Sequence, residues 1–126
     1  MTKLLKSEVK DTSILHIEIG NQSIIPWMVA NRYIIFSELV RYSEKLIKND
    51  LEYIHAVMIS NITENVVFII RKNDVVFTLK KSMEFFLSSE EYEQCAKIRD
   101  LSILISEKDK QIKKHGRRTK ENNLKD

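Results

Sequence analysis

The chain has 126 residues, 43% of them hydrophobic and 31% charged, with a net charge of +3; this is enough for one domain, or one small domain with an appendage, and fits a soluble globular protein rather than a disordered one. Two glycines and a single cysteine exclude a glycine-rich phosphate cradle, an internal disulfide and a cysteine-based zinc cluster. "MTKLLKSEVK" lacks the apolar core of a leader, and the longest apolar run is "VVFII" (66–70), so the expectation is a cytoplasmic protein with no membrane segment.

In chain order, "SILHIEI" (13–19) alternates loosely and predicts a strand, closed by the turn "GNQ". Pro26 marks an extended or helix-entry position. "ANRYIIFSELVRYSEKLIKND" (30–50) predicts one long amphipathic helix. Its Ile35, Leu39, Tyr42 and Leu46 share a face, opposite Arg41, Glu44, Lys45 and Lys48.

Three β-rich runs follow, at 53–60, 65–71 and 74–80, with "KND" as a tight turn between the last two. "VVFII" is apolar on both faces, which predicts a central strand or one covered by a helix. "LKKSMEFFLSS" then reads as a helix. Ser88 and Glu91 have capping-box spacing for a second helix, and Glu90 and Glu93 suit its N-terminal dipole.

The last 20 residues (107–126) hold eight Lys/Arg against four acids, so the positive charge of the chain is concentrated there. The apolar face ends near residue 112, and 113–126 is expected to be a disordered basic tail. The predicted organisation is an α+β body (1–79), a C-terminal α-helical hairpin (80–112) and that tail. The body is expected to hold a small antiparallel sheet with one long amphipathic helix.

Residues 79–105, "LKKSMEFFLSSEEYEQCAKIRDLSILI", resemble the UVR motif. That motif occurs near the C-termini of the excision-repair proteins UvrB and UvrC, in Clp ATPases and in the activator of bacterial protein-arginine kinase. Glu90, Glu91, Tyr92, Glu93, Cys95, Ala96, Ile98, Arg99 and Asp100 fit its second helix. Ser102 departs from the pattern where an apolar residue is expected, and the activator's zinc-binding cysteine pairs are absent.

The resemblance implies a helical hairpin that docks on a second hairpin, in the same chain or another. By helical spacing, Tyr92, Cys95 and Ala96 share one face, and the two small residues admit a close neighbour. Tyr92, Glu93, Cys95, Ala96, Ile98, Arg99 and Asp100 are the candidate partner-binding residues. Tyr92, Cys95, Ala96 and Ile98 are expected to pack the seam, while Glu93, Arg99 and Asp100 set orientation.

No catalytic or metal constellation is expected. His16, His55 and His115 have no ligand spacing, Cys95 belongs to a packing face, and helix capping accounts for Glu90, Glu91 and Glu93. The reading is therefore a non-catalytic adaptor or regulatory protein, without cofactor or metal, of bacterial or phage type by composition. It docks on a protein partner or on a second copy of itself. The alternative is a nucleic-acid-associated protein whose Lys113, Lys114, Arg117, Arg118 and Lys120 contact phosphates.

Overall fold

The computed structural model describes the backbone of residues 2–6 and 13–124, with side-chain surroundings for 14–110. Strands β1 (Thr2–Lys6) and β2 (Ser13–Glu18) lead into helices α1 (Ile24–Ala30) and α2 (Arg32–Lys48). Strands β3 (Tyr53–Ser60) and β4 (Asn65–Arg71) follow, then a 3-10 turn (Lys72–Asp74), α3 (Val75–Ser88) and α4 (Tyr92–Leu124). The fold is α+β, and no helix among the described residues is long and apolar enough to cross a membrane.

The strands lie in the order β1-β2-β3-β4. The sheet is mixed rather than antiparallel: β1/β2 and β3/β4 run antiparallel, but β2 and β3 run parallel. The cause is the connection. Two helices occupy the segment between β2 and β3, and a crossover of that length returns the chain to start a parallel strand.

The run at 74–80, expected as a third β-rich strand of the body, is instead the start of α3. Val75, Leu79, Ser82 and Phe86 are buried at i, i+4, i+7 and i+11, while Val76 and Phe77 are exposed. That is a helical period. The β-branched pair "VV" carries strand propensity, but burial of this stripe overrides it.

The reversal between α3 and α4 also differs from the expected capping box. Ser88 Oγ donates to the Phe85 carbonyl at 2.8 Å, on its own helix. The helix stop is made by backbone: Glu90 sits in the left-handed region (φ 58), its N–H donates to Leu87 O, and the Glu91 N–H donates to Phe86 O. This is a Schellman stop, and α2 ends the same way at Asp50 (φ 50), with Asp50 N–H to Ile47 O and Leu51 N–H to Leu46 O.

One cluster of buried side chains joins the sheet to all four helices. It takes Ile54, Val57, Ile59 and Ile70 from the strands, Ile24 from α1, Ile35, Val40, Tyr42 and Leu46 from α2, Val75, Leu79 and Phe86 from α3, and Cys95, Ile98 and Leu101 from α4. A boundary between residues 79 and 80 would cut α3, and α3 and α4 belong to the same core as the strands. Aromatic contacts fix the α2–α3 packing: Phe36 stacks on Phe85 at 4.8 Å, and Tyr33 meets Phe86 edge-on at 5.8 Å.

Beyond residue 112 the backbone is helical as far as Leu124, where a disordered tail was expected. The side chains of Lys113, Lys114, Arg117, Arg118 and Lys120 lie outside those described.

Candidate docking surface on α4

The residues singled out on α4 divide between two faces. Cys95, Ile98 and Leu101 point into the core, with Ile98 only 1% exposed. Burying such side chains stabilises by about 1.5–3 kcal/mol each. The Lys97–Glu44 ion pair joining α4 to α2 spans 3.8 Å with both groups partly exposed, a kind of pair that contributes about 0–1 kcal/mol. The apolar stripe therefore holds α4 in place. Cys95 and Ile98, expected among the partner-binding residues, are occupied by the protein's own core.

Tyr92 turns the other way. At 64% exposed it does not pack the seam with Cys95, because at about 100° per residue it lies beyond Cys95 on the side away from Ile98 and Leu101. Ala96 is half-buried, and Glu93, Arg99 and Asp100 are exposed. Ile103, exposed too, was not among the sequence candidates. Tyr92, Ala96, Arg99 and Ile103 stand at i, i+4, i+7 and i+11, a continuous outward stripe. Its signal in the sequence was the repeat itself, masked by the stronger one at Cys95, Ile98 and Leu101. Ser102, the departure from the UVR pattern, is exposed and donates to the Ile98 carbonyl at 2.9 Å, so no core position is lost to it.

The one ion pair of Arg99 among the described residues is with its neighbour Asp100, at 3.4 Å and with both side chains about two-thirds exposed. Such a pair is worth little and leaves the guanidinium fork accessible to a carboxylate or to a helix C-terminus.

The other chemistry-bearing groups do not assemble around this stripe. His16 lies on the sheet, its Nε2 2.7 Å from Ser60 Oγ, and His55 packs beside Tyr53 at 5.7 Å. Among the described residues no three His, Cys, Asp or Glu side chains group as a metal would need.

A notch of about 630 Å³ opens between the C-terminus of α2, the start of α3 and the middle of α4, walled by Leu46, Ile47, Val75, Val76 and Ile105. At its rim Lys72 Nζ meets Asp50 Oδ1 at 2.9 Å. The hydrogen bond and charge of Lys72 hold the Asp50 carboxyl below its ordinary value, and Asp50 in turn raises Lys72. Lys108 Nζ, also at the notch, donates to the Ile47 carbonyl at 2.6 Å. Its cations are spent on the fold itself.

No protein-family model, curated protein or solved structure matches this chain.

Proposed function

We propose that the chain is a non-catalytic docking module and that the α3–α4 pair is a helical hairpin whose outer stripe receives a helix of a partner protein. The observation that carries this reading is the stripe of Tyr92, Ala96, Arg99 and Ile103 along a helix already anchored by its opposite face. Two exposed apolar anchors flank a small residue and an accessible arginine. Ala96 lets a partner helix approach closely, Tyr92 and Ile103 supply buried area, and Arg99 fixes register through its fork. Of the UVR-like residues, Tyr92, Glu93, Arg99 and Asp100 are exposed and Ala96 is half-buried, which agrees with a docking role. With one buried cysteine, the module suits a cytoplasmic setting.

The test compares purified wild-type protein with Y92A/I103D as baits in nuclease-treated lysate, after circular dichroism shows that both fold alike. A partner held by the wild type and lost by the variant supports docking on this stripe. Equal retention by both proteins removes the stripe from the function. Retention that requires nucleic acid and collapses at moderate salt transfers the role to the basic end of α4 (113–120).

A further inference from the structure

The sheet has two faces, and only one is covered. Ile54, Val57, Ile59, Phe68 and Ile70 point toward the helices. The alternate positions point away: Tyr53, His55 and Met58 on β3, Val67, Ile69 and Arg71 on β4, and Ile14, His16 and Glu18 on β2. Tyr53, Val67 and Ile69 are 58%, 41% and 44% exposed. Among the described residues nothing packs across them. β4, expected as a central strand or one covered by a helix, is an edge strand whose inner face is covered by helices and whose outer face is not.

This face is apolar at its centre. Two histidines lie on it: His16 is satisfied by Ser60, and His55 packs beside Tyr53. Among the described side chains of this face, charge sits at two corners. Register places Arg71 beside Tyr53, where β3 begins, and Glu18 beside Ser60, where β3 ends. Because β2 and β4 flank β3 on opposite sides, the two charges are diagonally opposed. Neither has an ion-pair partner among the described residues.

That arrangement is self-complementary. A two-fold axis lying in the face, perpendicular to the Glu18–Arg71 diagonal, lays the apolar centre of one copy on that of another. It brings each Glu18 over the other copy's Arg71, twice per pair. Two twisted sheets pack face to face in this way, about 10 Å apart. From these observations we propose that the open face of the sheet is a homodimer interface, its occupant a second copy of this chain. Four strands about 4.8 Å apart and about 23 Å long give a footprint on the order of 400 Å² per copy. That is below the size of stable interfaces, so the dimer is weak and concentration-dependent. The surface is separate from the α4 stripe, and the inference does not depend on the docking role.

Sedimentation velocity of the full chain over a wide concentration range tests it. The wild type shifts from monomer to dimer as concentration rises. I69K stays monomeric, with unchanged circular dichroism and thermal midpoint, since residue 69 faces solvent in the monomer. E18R and R71E each weaken dimerisation about 10-fold, because every reversal creates two like-charge contacts. The double variant E18R/R71E returns to within about 2-fold of the wild type. A wild type that stays monomeric throughout overturns the proposal, as does a dimer unaffected by I69K. V67K replaces I69K if that variant fails to fold, with the same expected result.

Discussion

Lys108 on α4 donates from Nζ to the main-chain carbonyl of Ile47 on α2, at 2.6 Å and across 61 positions of sequence. That carbonyl also accepts the Asp50 N–H of the Schellman stop. Both its lone pairs are therefore used, and a positive charge rests at the C-terminal end of the α2 dipole. A long-range contact thus closes a local helix end, and it fixes how far α4 lies along α2.

Replacing Lys108 by Met keeps the aliphatic stem and removes the donor and the charge. The expected loss is about 1 kcal/mol of unfolding free energy, the usual size of a helix-end charge with one hydrogen bond. Urea denaturation reads it as a lower midpoint at unchanged slope. A variant as stable as the wild type would show that water serves the Ile47 carbonyl equally well.

Glu90 holds a left-handed backbone conformation between α3 and α4 (φ 58), which costs a residue with a Cβ about 1 kcal/mol relative to glycine. Its side chain is exposed and forms no ion pair among the described residues. Glu90→Gly is therefore expected to raise stability by up to about 1 kcal/mol and the thermal midpoint by a few degrees. Calorimetry checks this. A lower midpoint would mean that the negative charge of Glu90, close to the start of α4, outweighs the backbone strain it carries.

The legible parts of the fold were those in which one physical signal dominated. The stripe of Ile35, Leu39, Tyr42 and Leu46 gave α2, and runs rich in Val, Ile and Phe gave β3 and β4. Val75–Leu79 misled because two signals conflicted there. β-Branched propensity favoured a strand, and the helical repeat that would have corrected it runs through Ser82, a buried residue that does not look apolar. The parallel pairing of β2 with β3 was implied by the two helices between them, yet pairing partners are not written in any local pattern. On α4 the inward stripe was visible from Cys95 and Ile98. Which of the flanking residues face outward depends on how α4 crosses α2, and that is fixed by contacts such as Lys108 to Ile47. The apolar outer face of β4 was plain in "VVFII". That nothing within the chain covers it is a property of the whole topology.

The Asp50–Lys72 pair at the notch ties the end of α2 to the turn that opens α3, and it gives stability a defined pH window. The aspartate is held below its ordinary value in the folded state. Its contribution is therefore complete above the unfolded value and disappears as pH falls through the folded one. The lysine is raised, so its contribution is complete below the unfolded value and disappears as pH rises through the folded one. The window lies between about pH 4 and about pH 10.5. Within it, Lys72→Met should be slightly less stable than the wild type, by an amount that shrinks with added salt because both groups are open to solvent. Outside it the two proteins should converge. Denaturation curves for both across pH 2–11 measure the difference directly. A gap that persists unchanged at the acid end would show that Lys72 acts through packing of its stem over the notch and not through the carboxylate.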